Sequence, residues 1–298
     1  MTARRRIAIA AAALAGLATA AGRVVHHTGY DESVFVSGLS PSERETILYL
    51  RTRDADARDD DGHVFETLPA PDRESAPIYV YDAGIKPEMN RMITSSWAVP
   101  EHIRDDLSPS ERTGGHVVVW DWERGEALQV ETLDEAPLEV RWLHGPDGLG
   151  GFINAARGAT VWYWEDADGD GELEFDRVIR LPAGSMPADM RISRDNRFLY
   201  ISLFGGDQVR QYDVSDPYGP RLVDTVELPH PNVMKLTPDS RRLYVSNAPT
   251  TPLDPDERFG GVWMLHVGPA GMEVDPTFDP DFRDLPTGLA RPHDMLPK

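Results

Sequence analysis

DNRFLYISLFGGDQVRQYDVSDPYGPRL, residues 195–222, decides the fold, because its plan returns at residues 239–248 as DSRRLYVSNA. Each copy opens on an Asp-Asn/Ser-Arg turn and runs into an alternating strand. In the first copy that strand is Phe198 to Ser202, followed by a Gly-rich turn and a further strand, Gln208 to Asp213. A similar lead-in precedes each copy: Pro187-Ala188-Asp189-Met190-Arg191-Ile192 before the first and Pro231-Asn232-Val233-Met234-Lys235-Leu236 before the second. Pro292-His293-Asp294-Met295 repeats the lead-in near the C-terminus, and Pro77-Ile78 and Pro137-Leu138-Glu139-Val140 are looser versions.

The lead-in prolines at 77, 137, 187, 231 and 292 stand 60, 50, 44 and 61 residues apart. Repeats of roughly 40–50 residues built from short strands are the mark of propeller blades. Apolar and β-branched residues alternate with polar ones at period two, and Gly, Asp, Asn and Pro punctuate them, as antiparallel meanders require. No amphipathic helix of period 3.6 is visible after residue 22. The expected fold is therefore an all-β propeller of about five four-stranded antiparallel blades, stacked because no single unit can bury both of its faces.

The chain has 298 residues, enough for one large β domain, and no Ser/Gly- or Pro-rich linker divides it. Residues 1–22 carry a basic start at Arg4-Arg5-Arg6, an uncharged run from Ile7 to Ala21 and small residues at Ala18-Thr19-Ala20. This is a signal-peptide plan, too short to span a bilayer comfortably. The expectation is an exported protein, periplasmic or secreted, with residues 23–298 as a single domain; an uncleaved N-terminal anchor is the alternative.

Net charge is −20, and loss of the three arginines would make it −23 (−20 − 3). So acidic a chain is not built for nucleic acid or for an anionic membrane once the leader is removed. It has no cysteine, which excludes disulfides, thiolate metal sites and cysteine nucleophiles and leaves histidine and carboxylate as the groups for chemistry. Phosphate loops, G-x-S-x-G elbows and zincin motifs are absent from the sequence.

Several segments resemble the selenium-binding protein and methanethiol oxidase family. Met92-Ile93-Thr94-Ser95-Ser96-Trp97-Ala98-Val99-Pro100 is similar to that family's M-I-S-T-E-W-x-x-P, and residues 115–122, GHVVVWDW, to its G-x-x-[LV]-x-V-W-D-W. Residues 137–144, PLEVRWLH, match P-L-E-I-R-F-L-H, and residues 210–217, RQYDVSDP, match R-Q-Y-D-I-S-D-P. His26-His27-Thr28-Gly29-Tyr30 is similar to H-H-[SF]-G-W. The resemblance implies a propeller, of seven blades in the family, and an enzyme that oxidises methanethiol with O2 to formaldehyde, hydrogen sulfide and hydrogen peroxide, using copper held by histidines.

The ligands it carries over are His26, His27 and His293. The family's central H-T-S-H segment has no counterpart between Leu50 and Pro77, so one ligand of the pattern is missing. Asp31, Glu32 and Ser33 replace the cysteines that follow the paired histidines, which rules out selenium held covalently there.

Chemistry independent of the resemblance bears on the same residues. His293 directly follows a lead-in proline, where the other units have Leu138, Ala188 and Asn232, and the inner strands of a propeller begin near its axis. If His26-His27 open the neighbouring inner strand, imidazoles from both chain ends converge, and three nitrogen ligands with an open position make a reactive metal site. Polar lining without metal is the alternative. His230, before a lead-in proline, is a substitute ligand, and Asp189, Asp294 and Glu139 are candidates to orient an imidazole from behind.

A second candidate is Asp166, Asp168, Asp170, Glu172 and Glu174, whose D-x-D-x-D-G start is that of a calcium loop; position twelve is Arg177 rather than Glu. An ion-free Asp-Gly turn is the alternative, and any calcium would be structural. Two functions follow: an oxidoreductase acting on a small thiol, or a non-catalytic propeller that binds a small ligand or carries metal.

Overall fold

The computed structural model describes residues 22–25, 33–38, 47–51, 65–67, 80–98, 113–247, 261–278 and 280. The first four strands, β1 (Gly22–Val25), β2 (Ser33–Gly38), β3 (Ile47–Arg51) and β4 (Phe65–Thr67), form one antiparallel sheet in chain order. The second sheet is β5 (Val80–Lys86), β6 (Arg91–Ala98), β7 (Thr113–Asp121) and β8 (Glu126–Thr132). The third is β9 (Pro137–Trp142), β10 (Gly151–Ala155), β11 (Thr160–Glu165) and β12 (Glu174–Arg180). The fourth is β13 (Pro187–Ile192), β14 (Phe198–Leu203), β15 (Gln208–Asp213) and β16 (Arg221–Glu227). The fifth is β17 (Met234–Leu236), β18 (Arg242–Ser246), β19 (Val262–Gly268) and β20 (Gly271–Val274).

Every described sheet is thus a four-stranded meander, the unit read from residues 195–222. The first sheet draws all four of its strands from residues 22–67. The chain divides into two compact units, Met1–Val140 and Arg141–Lys298, and the boundary falls inside β9.

In the first unit Val80, Ala83, Ile85, Met92, Val118 and Trp120 form a buried cluster. The second unit buries one face of the third sheet, through Phe152, Val161, Tyr163 and Ile179, against Met190, Leu199, Ile201 and Tyr212 of the fourth. Tyr200 and Val209 on the fourth sheet's other face pack against Met234, Leu243, Val245 and Leu265 of the fifth. Alternation explains this: Leu199 and Ile201 point one way from β14 and Tyr200 the other, so both faces of a middle strand are apolar.

Two rows of polar contacts fix how consecutive sheets meet. At the start of the inner strands, the amide of Asp82 donates to Ser95 Oγ (3.2 Å), Ser95 Oγ donates to the carbonyl of Leu138, and Asp82 Oδ2 accepts from the amide of Val140 (3.0 Å). The same figure recurs two sheets later. Asp189 N–H donates to Ser202 Oγ (2.9 Å), Ser202 Oγ donates to the carbonyl of Asn232 (2.6 Å), and Asp189 Oδ2 accepts from Met234 N–H (2.7 Å). Asp and Ser stand 13 residues apart in both. All four side chains are buried, where an unpaired polar group would be costly.

The second row lies at the far end of the inner strands. Asn196 accepts the His144 amide at Oδ1 (2.7 Å) and donates to the His144 carbonyl (3.0 Å), while Ser240 Oγ accepts the Arg194 amide (2.8 Å). Asn196 and Ser240 are the middle residues of the two Asp-Asn/Ser-Arg turns and both have left-handed φ, 58° and 55°. Asp195 and Asp239 hold these turns by accepting from the amides of Arg197 and Arg241 (3.2 Å each).

Candidate functional site

Asp189 accepts from four donors. Its Oδ1 accepts from the amide of Met190 (2.7 Å), from Arg141 Nη2 (3.1 Å) and from Arg191 Nη1 (2.5 Å), while Oδ2 serves the fifth sheet. Arg141 Nε also donates to the carbonyl of Met190 (3.0 Å). Asp189 therefore ties β9, β13 and β17 together through amides and guanidinium groups. Glu139, two residues after its own lead-in proline as Asp189 is, is also buried.

His26, His27, His293 and Asp294 lie outside the described residues. The other candidate ligand, His230, sits between Pro229 and Pro231 with φ 46°. Its amide donates to Asp207 Oδ1 (2.8 Å), and its Nδ1 lies 3.0 Å from the Phe204 carbonyl and 3.1 Å from Asp207 Oδ1. The imidazole stacks on the Phe204 ring at 5.2 Å. A shallow cleft of about 440 Å³ opens beside it, lined by Gly206, Asp207, Glu227, Leu228 and Pro229.

The other described histidines are dispersed. His144 Nε2 is 3.1 Å from the Ile192 carbonyl, His116 Nδ1 is 3.3 Å from Thr132 Oγ1, and His266 Nε2 is 2.9 Å from Asp275 Oδ2. Burial lowers the pKa of His116 by penalising its charged form. Among the described residues, no histidine belongs to a group of three side chains able to share one metal ion. The described part of the chain does not by itself fit a copper centre; the histidines with the right pattern are those outside it.

One described cluster can hold a cation. Asp166, Asp168 and Asp170, on the turn between β11 and β12, bring carboxylate oxygens within 4.8 Å of one another. The backbone folds around these side chains: Asp166 Oδ1 accepts from Gly169 (2.8 Å), Asp166 Oδ2 from Gly171 (3.1 Å), and Asp170 Oδ1 from Glu172 (2.8 Å). Gly169 and Gly171 have φ of 79° and 91°, so the positions that need glycine have it. Leu173 is buried beneath the turn, and Glu174 Oε2 accepts from the amide of Ala167 (3.0 Å), closing the turn. Glu172 is exposed. An oxygen-rich turn of this kind suits a hard divalent cation.

Sequence reasoning missed Asp82 and Ser95. Asp82 lies five residues after Pro77, not two, and a register shift between Val80 and Ala83 moves the strand relative to its neighbour. The signal that would have found the pair is the spacing of 13 shared with Asp189 and Ser202.

Comparison with known proteins gives this geometry its context. The family model described as 56kDa selenium binding protein matches residues 57–297. The human protein named methanethiol oxidase is 31% identical over 295 residues, which cover 79% of this chain and 62% of that protein. The chain thus spans less than two thirds of the length of that curated relative. Among solved structures, a hypothetical selenium-binding protein from Sulfolobus tokodaii superposes with a TM-score of 0.72 at 27% identity, covering 92% of this chain and 68% of its own. The β-propeller domain of Cps50 (Swd1) from Myceliophteria thermophila gives 0.54 at 11% identity, over 76% and 67% of the two chains, a likeness of fold alone. The four-stranded meanders are propeller blades, and this chain belongs to the 56kDa selenium binding protein family.

Proposed function

We propose that this protein is an exported, metal-dependent oxidoreductase that oxidises methanethiol or another small thiol, with copper held by His26, His27 and His293. The observation that carries the reading is the family match over residues 57–297, joined to a human relative named methanethiol oxidase. The pairing of His26-His27 with a histidine just after the last lead-in proline supports the choice of ligands. Copper bound there would supply one-electron chemistry toward O2, and neutral imidazoles are suitable donors for it. The test is thiol-dependent O2 uptake by the purified protein, expected in the wild type and abolished in His293→Ala.

The second reading is a non-catalytic propeller that binds a small ligand or carries metal. Loss of the H-T-S-H segment favours it, and the dispersal of the described histidines is consistent with it. Metal content with no thiol-dependent O2 uptake would select it. On the turn between β11 and β12 we propose a structural calcium ion, a reading supported by the convergence of Asp166, Asp168 and Asp170.

A further inference from the structure

The third sheet carries a set of aromatic rings that the proposed thiol chemistry leaves unused. Trp142, the last residue of β9, meets Trp164 of β11 edge to face, with ring centroids 5.3 Å apart and planes at 87°. Both rings are buried, and neither indole N–H finds an acceptor among the described residues. The neighbouring residue of β11, Tyr163, projects to the other face and meets Tyr218 at 5.3 Å, again edge to face. Tyr163 is 3% exposed and Tyr218 49%, so the set runs from the interior to the surface.

Gly150 and Gly151 back both parts. A Cβ on Gly150 would lie 2.5 Å from the Tyr163 hydroxyl, and one on Gly151 would lie 2.4 Å from Trp164 Cζ2. Indole and phenol therefore rest against consecutive residues of the chain. The two phenols converge on one carboxylate: the Tyr163 hydroxyl donates to Glu165 Oε2 (2.8 Å) and the Tyr218 hydroxyl to Glu165 Oε1 (2.6 Å). Among the described residues Glu165 makes no ion pair. A carboxylate between two phenols is a proton acceptor already in place for both of them.

Burial, then Glu165, pushes the Tyr163 phenol above its ordinary pKa, and the hydrogen bond to Glu165 pushes Tyr218 up to about 12. Both rings stay protonated at neutral pH, so oxidation of either must release a proton with the electron. A clamp between the third and fourth sheets would need only one such contact. Two phenols on one carboxylate, backed by an indole pair, form a chain of the most oxidisable side chains in a cysteine-free protein.

We propose that Tyr163, Glu165 and Tyr218 form a proton-coupled electron-transfer site that, with Trp142 and Trp164, carries one-electron oxidising equivalents from the interior of the third sheet to the surface. A one-electron oxidant, such as a peroxide-derived radical, removes an electron from an indole and is itself reduced. The indole radical takes an electron from Tyr163, whose O–H bond breaks and whose proton bonds to Glu165 Oε2, leaving a neutral phenoxyl radical. Tyr163 then takes an electron from Tyr218 and recovers its proton from Glu165, while the Tyr218 O–H bond breaks and its proton bonds to Glu165 Oε1, which leaves the phenoxyl radical on Tyr218. At Tyr218 a dissolved thiol returns one electron, Glu165 returns the proton, and the thiol leaves as a thiyl radical after losing its own proton to solvent. The site rests on the oxidase reading only for its natural oxidant.

The test supplies its own oxidant. Wild-type protein is irradiated with a ruthenium polypyridyl complex and persulfate, and the radicals are followed by electron paramagnetic resonance and transient absorption. The expected result is an indole radical that converts to a tyrosyl radical. In the Tyr163→Phe/Tyr218→Phe double variant the tyrosyl signal is lost and the indole radical persists. Glu165→Gln keeps an acceptor but not a base, and is expected to slow the conversion at unchanged thermal stability. A tyrosyl signal that survives in the double variant, or a wild type that yields only indole radicals, would overturn the site. Because no copper is involved, failure of the thiol-oxidase reading leaves this outcome independent.

Discussion

Ser202 does more for this fold than its size suggests. Its hydroxyl accepts from the Asp189 amide and donates to the Asn232 carbonyl, so Ser202→Ala would remove the side-chain partner of a buried amide and of a part-buried carbonyl. The expected cost is about 1–3 kcal/mol of unfolding free energy by chemical denaturation, and Ser95→Ala should cost about as much. A loss no larger than that of an exposed serine would contradict the latch. Asp275 offers a titration test. The Thr277 hydroxyl and amide, then His266, lower its pKa to about 2. Because the folded value lies below the unfolded one, its stabilising effect is present above the ordinary aspartate range and is lost as pH falls toward about 2. Carboxyl NMR should place its midpoint near that value, and Thr277→Val should move it upward.

At the scale of elements, the turns were the most legible part of the sequence and the register the least. Asp195-Asn196-Arg197 and Asp239-Ser240-Arg241 announce themselves by residue type, because a short polar side chain tolerates left-handed φ and an aspartate can hold its own turn. The register shift at Val80/Ala83 leaves the apolar pattern nearly unchanged, which is why Asp82 went unread while Asp189 stood out beside Pro187. Close packing supplies another test on β10. A Cβ on Gly151 would come within 2.4 Å of both the Arg141 carbonyl and Trp164, so Gly151→Ala should cost about 1–3 kcal/mol through forced displacement of the strand. On the acidic turn, calcium should raise the thermal midpoint of the wild type but not of Asp168→Ala; equal shifts in the two would remove the ion from that turn.

For the molecule as a whole, the repeat made the propeller readable before any contact was known, since period-two strands in units of this length admit few other architectures. The proposed metal centre is readable only as a pattern of residues, because the ligands proposed for it, His26, His27 and His293, are far apart in the chain and local sequence does not report which distant side chains meet. His230 illustrates the difference: next to a lead-in proline in sequence, it is held by Asp207 and Phe204 in the structure. The central claim is a copper site built from both chain ends. Elemental analysis of the purified protein after mild chelation tests it most directly. The account predicts about one copper per chain in the wild type and loss of it in His293→Ala; no transition metal in the wild type, or unchanged content in the variant, would contradict it.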